Sequence, residues 1–159
     1  MVKRIVLIVM ASVMLMAVLG ACTSARPAAT GVERTIYMAA VEPKGGVTVD
    51  KEAFPSVSLP AGGGYILKEP NDDGRWEVAT YRWDPGVIVV NQGDVVTLEI
   101  IGINGESHPF TIEGYNISDV VQRGHVTRVT FTADKVGIFK IICPVHLPSM
   151  EANLVVLGN

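Results

Sequence analysis

The sequence predicts an all-β protein, either a β-sandwich or a β-barrel. Three observations favour this fold class. Apolar and polar residues alternate in short segments, these segments are rich in β-branched and aromatic residues, and Gly, Asn or Asp interrupts them about every ten residues. We see no long segment with helical periodicity, no internal repeat and no second domain. The chain is therefore expected to form a single domain.

Eight strands are expected in order along the chain: residues 34–41, 75–83, 87–90, 95–103, 108–112, 125–131, 137–143 and 153–157. In the segment 75–83, alternation places Trp76, Val78 and Thr80 on one face, with Tyr81 and Trp83 on the other. The Pro- and Gly-rich stretch 42–64 is expected to be an irregular excursion. Its run Gly62-Gly63-Gly64 lacks the lysine and the following helix of a phosphate-binding loop.

The N-terminus has the pattern of an export signal. Lys3 and Arg4 precede the apolar run 5–19, whose length of about fifteen residues is short for a membrane span. Leu19-Gly20-Ala21-Cys22 resembles the lipobox of bacterial lipoproteins, in which the cysteine is acylated. An ordinary signal peptide with an incidental cysteine is the alternative, but the small residues before Cys22 favour the lipoprotein. We expect a signal peptide at 1–21, a flexible tether at 22–33 and the domain at 34–159.

The two cysteines cannot form a disulfide if Cys22 carries lipid. Cys143 is then a lone thiol in an oxidising compartment, so it is expected to be buried, reactive or bound to metal. The formal net charge is −3 and no basic residues cluster, which excludes nucleic acid as an expected partner.

Candidate metal ligands surround Cys143. Alternation along 137–143 places Phe139, Ile141 and Cys143 on one face, so Cys143 is expected to point into the core at the end of its strand. His146 and Met150 follow on a short loop, and His108 begins another strand. Two imidazoles, one thiolate and a weak thioether are the donors of a trigonal copper site with a long axial methionine.

Two further residues bear on this ligand set. Glu151 is the alternative to Met150 as the axial ligand, because the spacing from His146 to Met150 does not decide between them. His125 follows Gly124 in a turn-like segment and is expected to be a solvated loop residue.

From about residue 87 onward the chain resembles the cupredoxins, the Greek-key β-sandwich proteins that hold blue copper. The resemblance rests on His108 followed by Cys143, His146 and Met150, and on the segments "HPFTIEGYNI" and "VTFTADKVGIFKIICPVH". These segments are most similar to nitrosocyanin and to the copper domains of nitrous oxide reductase and cytochrome oxidase subunit II. The single Cys143 argues against a dinuclear site. The histidine at 108, where nitrosocyanin has glutamate, argues for blue over red copper.

The resemblance implies an electron carrier with one type 1 copper ion, and not an enzyme. His146, flanked by Pro144, Val145, Leu147 and Pro148, is the expected electron port, where redox proteins such as cytochromes or oxidases would dock. The lipid would anchor the protein to a bacterial membrane, facing the periplasm or the cell exterior. One alternative is a red-copper-like enzyme acting on a small nitrogen oxide or on oxygen. A copper-storage or delivery protein is another.

The resemblance also implies how the cysteine sulfur is hydrogen-bonded. In many blue copper proteins, the residue after the upstream histidine donates its backbone N–H to this sulfur. Here that residue is Pro109, which has no N–H, and Pro144 lacks one as well. Val145 is therefore the expected backbone donor.

Overall fold

The computed structural model describes residues 31–158, and the regular elements of this part of the chain are β-strands and one short 3-10 turn. The strands are β1 (Glu33–Val41), β2 (Lys44–Thr48), β3 (Tyr65–Lys68), β4 (Arg75–Thr80), β5 (Arg82–Asp84), β6 (Val87–Asn91), β7 (Val95–Gly102), β8 (Ser107–Ile112), β9 (Ile117–Gln122), β10 (Val126–Thr132), β11 (Gly137–Ile142) and β12 (Glu151–Leu157). One turn of 3-10 helix, Pro144–His146, follows β11.

Two sheets form the sandwich. One sheet has the strand order β10-β7-β1-β5, and the other has the order β6-β12-β11-β8-β9. Strands β1 and β7 pair in parallel, as do β12 and β6, while the remaining pairs are antiparallel. Buried side chains from both sheets form one hydrophobic core. The predicted all-β sandwich with a single domain is confirmed.

Alternation decides which side chains enter this core. In β7 the residues Val96, Leu98 and Ile100 are fully buried, whereas their neighbours along the strand are at least partly exposed. The same period in β8 buries His108 together with Phe110 and Ile112. His108 therefore occupies a core-facing position near the start of β8.

A third sheet, with strand order β2-β4-β3, lies between β1 and β5 in the sequence. The excursion expected at 42–64 is thus wrong in part, because β2 lies within it and pairs with β4. Strand β9 was also not expected. The proposed strand 75–83 is divided at Tyr81, since β4 belongs to the third sheet and β5 pairs with β1 in the sandwich. Within β4 the pairing is continuous, so Trp76 and Val78 lie on one face as predicted, although Trp76 is buried and Val78 is exposed.

The N-terminal predictions fall mostly outside the described residues. The signal peptide, Cys22 and the tether up to residue 30 lie there, and β1 begins at Glu33. Within residues 31–158, no helix has the length and apolar character needed to cross a bilayer.

Candidate metal centre

Cys143 lies directly after β11, at one pole of the sandwich. Ile141 and Cys143 are both fully buried while Ile138 is exposed, so the face predicted from alternation is confirmed. The backbone N–H of Cys143 donates to the carbonyl of Met150 at 3.1 Å. The thiol is therefore shielded from solvent at the point where the sheet gives way to the loop.

The loop after Cys143 turns back at once. The N–H of His146 donates to the Cys143 carbonyl at 3.1 Å, and the N–H of Met150 donates to the His146 carbonyl at 3.0 Å. Pro144 fits the first position of this single 3-10 turn, where no N–H is needed. The turn brings the His146 Nδ1 atom to 3.3 Å from the Cys143 Sγ atom.

His108 approaches from β8 and is also fully buried. Its Nε2 atom lies 2.9 Å from the backbone carbonyl of Asn104. A carbonyl can only accept a hydrogen bond, so Nε2 is the donor, and Nδ1 is the ring nitrogen that faces His146. A Cβ atom on Gly105, which has a φ of +79°, would lie 2.6 Å from this Nε2 atom. Glycine at 105 therefore allows the loop to pack against the imidazole.

The two imidazoles face each other across a small gap. Their Nδ1 atoms lie 3.3 Å apart, and together with the Cys143 Sγ atom they form a group whose ligand atoms are all within 4.8 Å of one another. Nitrogen ligands about 2 Å from a shared metal ion lie roughly 3.3–3.5 Å apart. The structure thus brings the two imidazoles to the separation that a shared metal ion requires, with the Cys143 sulfur 3.3 Å from His146.

The electrostatics of this group reflect its burial. Burial raises the pKa of the Cys143 thiol, and the backbone N–H groups of Val145 and His146 oppose this shift. Val145, the donor that the resemblance implies, is thus one of the two groups that lower this pKa. Burial also lowers the pKa of His146, and the neighbouring His108 lowers it further, so the ring favours the neutral, metal-binding form.

The two axial candidates lie on opposite sides of β12. Met150 is fully buried and belongs to the same core cluster as Cys143. Glu151 is only half-buried, and its carboxylate forms an ion pair with Lys140. This placement favours Met150 over Glu151 as the axial ligand. His125 is exposed just before β10 and lies outside the group.

Two features of the centre were missed by sequence reasoning. The Tyr81 ring stacks on the His146 ring, with centroids 3.7 Å apart and planes 15° apart. The run Gly62-Gly63-Gly64 lies against the ligand loop, since a Cβ on Gly63 would be 2.4 Å from the Val145 carbonyl oxygen. The glycine run was the only signal for this contact, and nothing local pointed to Tyr81.

These contacts change the expected surroundings of His146. The ring is only partly exposed, because Tyr81 covers one face and the glycine run lies against its loop. Val145 is 56% exposed, and Pro144 and Pro148 are exposed as well. Leu147 is half-buried and contributes less to this surface than expected. An apolar surface is therefore present beside His146.

A β-sandwich that places two histidines and a cysteine together at one pole is a metal-binding sandwich. A family model described as a cupredoxin-like domain matches residues 66–156, which is more than half of the chain. The chain belongs to the cupredoxin-like family. No curated protein sequence matches it.

Several solved structures are similar to this chain at low sequence identity. The copper nitrite reductase from Nitrosomonas europaea matches with a TM-score of 0.52 and 17% identity, over 80% of this chain and 42% of that chain. The blue copper protein auracyanin A from Chloroflexus aurantiacus matches with a TM-score of 0.46 and 15% identity, over 78% of this chain and 98% of that chain. The periplasmic domain of cytochrome oxidase subunit II from Bradyrhizobium japonicum matches with a TM-score of 0.39 and 20% identity, over 45% of this chain and 54% of that chain.

Proposed function

We propose that this protein is a single-domain electron carrier that holds one copper ion at His108, Cys143 and His146, with Met150 as the axial ligand. The observation that carries the proposal is that the three donor atoms lie close together. The Nδ1 atoms of His108 and His146 are 3.3 Å apart, and the His146 Nδ1 atom is 3.3 Å from the Cys143 Sγ atom. When bound, copper supplies a one-electron couple, because thiolate suits Cu(I) and imidazole suits both oxidation states.

The chain supports this role by enclosing the ligands. His108, Cys143 and Met150 are fully buried, and Tyr81 covers one face of the His146 ring. The donor set is thus held in a largely water-free pocket, where ligand geometry is preserved without solvent rearrangement. A closed ligand set suits electron transfer better than substrate turnover.

Copper storage or delivery is less well supported. Proteins of that kind use exposed methionines or histidines to collect metal. In the described part of the chain the methionines are Met38 and Met150, and both are buried. His125 is the exposed histidine there, and no second histidine joins it in a metal-binding group.

The test is an absorption and electron paramagnetic resonance spectrum of the purified protein after loading with Cu(II). We expect an intense visible band from the thiolate–copper bond, which Cys143→Ser abolishes. A red or weakly coloured protein that converts a small nitrogen oxide or oxygen would instead support the red-copper-like enzyme. Loading with zinc in preference to copper in a matched competition would overturn the copper assignment.

The cellular location forms a separate part of the proposal. The lipobox-like segment ending in Cys22 supports a lipid anchor on a bacterial membrane, facing the periplasm or the cell exterior. Native protein should partition into detergent, whereas Cys22→Ala should accumulate as an unprocessed precursor. Recovery of the wild-type protein only in the soluble fraction, with its N-terminus at another residue, would contradict the anchor.

The proposed partners are redox proteins that dock beside His146. The exposed apolar residues Pro144, Val145 and Pro148 support a small and transient interface, in which the partner approaches the imidazole directly. Val145→Asp should slow electron exchange with a cytochrome while leaving the copper spectrum unchanged. An equal exchange rate would exclude this surface as the docking site.

A further inference from the structure

Tyr81 lies at the junction between the third sheet and the sandwich, in contact with the candidate metal centre. The chain leaves β4 at Thr80 and enters β5 at Arg82, and the Tyr81 N–H donates to the Gly64 carbonyl at 2.9 Å. Its ring stacks on His146 and lies 5.8 Å from the His108 ring, centroid to centroid. The residue that joins the two parts of the fold therefore also covers a ligand.

The Tyr81 side chain lies near a buried carboxylate, that of Glu42. Burial raises the Tyr81 pKa, and the Glu42 carboxylate raises it further. Glu42 is only 4% exposed, and its Oε2 atom lies 2.8 Å from the Lys44 Nζ atom. A buried carboxylate is stable only when such partners satisfy it. The Glu42 side chain is therefore held in one position.

The backbone of Glu42 is fixed as well. The side-chain amide of Asn104 bonds it twice, since Glu42 N–H donates to Oδ1 and the Glu42 carbonyl accepts from Nδ2, each at 2.7 Å. The backbone carbonyl of Asn104 accepts the Nε2 proton of His108 at 2.9 Å. Asn104 thus connects Glu42 to the His108 imidazole. Tyr81 contacts the other imidazole, that of His146.

We propose that Glu42 and Tyr81 are positioning residues: the buried Glu42 carboxylate accepts a hydrogen bond from the Tyr81 hydroxyl, and this holds the Tyr81 ring where it keeps the His146 imidazole in its ligand orientation. This inference rests on the copper site proposed above. Of the two imidazoles, His146 is the one on a loop and the one reached by solvent, so it depends on this contact more than His108 does. A stacked ring that cannot rotate limits how far the imidazole can turn when a metal ion binds or changes charge.

The experiment compares copper affinity, by competition with a chelator, and the linewidth of the electron paramagnetic resonance spectrum across five variants. Tyr81→Leu removes the stack and should lower copper affinity by roughly tenfold and broaden the spectrum. Tyr81→Phe keeps the stack without its hydroxyl and should give a smaller loss. Glu42→Leu should match Tyr81→Phe, because it removes the same hydrogen bond from the other side.

Two variants serve as controls. Glu42→Gln keeps an acceptor oxygen for the Tyr81 hydroxyl and should restore most of the affinity that Glu42→Leu loses. Tyr37→Leu removes a tyrosine on β1 that is 71% exposed, and this variant should match the wild type in copper affinity and linewidth. If Tyr81→Leu fails to fold, the milder pair Tyr81→Phe and Glu42→Leu still decides the question.

The outcomes separate this inference from the proposed function. If the wild-type protein shows no thiolate–copper band, the copper site itself is wrong. If the wild type shows the band and the Tyr81 and Glu42 variants match it in affinity and linewidth, the copper site stands and the positioning role is overturned. Equal losses in Glu42→Gln and Glu42→Leu would also overturn it, since the hydrogen bond would then not be the cause.

Discussion

The backbone N–H of Cys143 donates to the carbonyl of Met150 at 3.1 Å, so one hydrogen bond joins the two ends of the ligand loop. This bond continues the antiparallel ladder of β11 and β12, in which Ile142 pairs with Glu151. The register sends Met150 into the core and Glu151 to the outer face. It therefore also determines which of the two residues can reach the metal centre.

Replacing Met150 with leucine tests this assignment. Met150→Leu conserves volume and should keep the intense visible band, because the thiolate remains. Loss of a weak axial donor should raise the reduction potential by tens of millivolts, on the order of a few-fold change in the one-electron equilibrium. Glu151→Gln, which only weakens the ion pair with Lys140, should change neither quantity in voltammetry. A shift in Glu151→Gln alone would make Glu151 the axial ligand.

The two histidines should differ in how readily a small molecule replaces them. His108→Ala and His146→Ala each remove a ligand, and added imidazole should restore the visible band in both. His108 is fully buried whereas His146 is partly exposed, so His146→Ala should recover at a lower imidazole concentration. Absorbance titrations measure the two midpoints. Equal midpoints would mean that burial does not control access to the site.

Pro109 has no N–H to donate to the Cys143 sulfur, and this is expected to keep the reduction potential lower than it would be with a donor at this position. The ladder between β8 and β11 pairs Thr111 with Ile142 and does not continue to Pro109, which lacks an N–H. Pro109→Asn should add a donor toward the Cys143 sulfur, withdraw electron density from the thiolate and raise the potential. One such bond, at about 1 kcal/mol, corresponds to a few tens of millivolts.

The visible spectrum provides the control for Pro109→Asn, since proline also fixes the backbone beside His108. An unchanged band shows that the ligands have kept their geometry. If the band is unchanged and voltammetry shows an equal or lower potential, the missing N–H does not set the potential of this site.

The glycine run should be intolerant of side chains. A Cβ on Gly63 would lie 2.4 Å from the Val145 carbonyl oxygen, so Gly63→Ala should push the ligand loop away at a cost of about 1–3 kcal/mol. Gly45→Ala is the matched control, because a Cβ there meets nothing within 4 Å. Urea denaturation of the two variants measures the difference. Equal stability would show that the run does not pack against the loop.

Asp94 should make the stability depend on pH under acidic conditions. Its carboxylate accepts from the N–H groups of Val32 and Asn91 and pairs with Arg34, which lowers its pKa from 3.8 to about 2. A lowered pKa in the folded state stabilises the protein fully above about pH 4, and this stabilisation is lost as the pH falls toward 2.

Asp94→Asn is the variant that tests this dependence. It should be less stable than the wild type at neutral pH, and the gap in the urea midpoint should close between about pH 4 and pH 2. Asp73→Asn, at an exposed position in the turn before β4, should leave the curve unchanged. A gap that stays constant across this range would show that the Asp94 charge does not contribute.

The sequence by itself determined those features of the protein that depend only on residues close together along the chain. Alternation with a period of two is a local property of a strand, and it was enough to predict the all-β class and the inward direction of Cys143. The spacing of His146 and Met150 after Cys143 is local as well, because one short loop joins them. His108 was predicted as a donor because it begins another strand, and the resemblance to cupredoxins supported that prediction.

Only the tertiary structure decided which distant segments meet at the metal centre. Tyr81 reaches His146, and Gly63 reaches Val145, because the chain crosses from the third sheet into the sandwich at this point. The segment 75–83 has an unbroken β-pattern, so its division between two sheets left no local trace. Which sheet a strand joins depends on pairing partners far away in the sequence, and alternation within the strand carries no information about them.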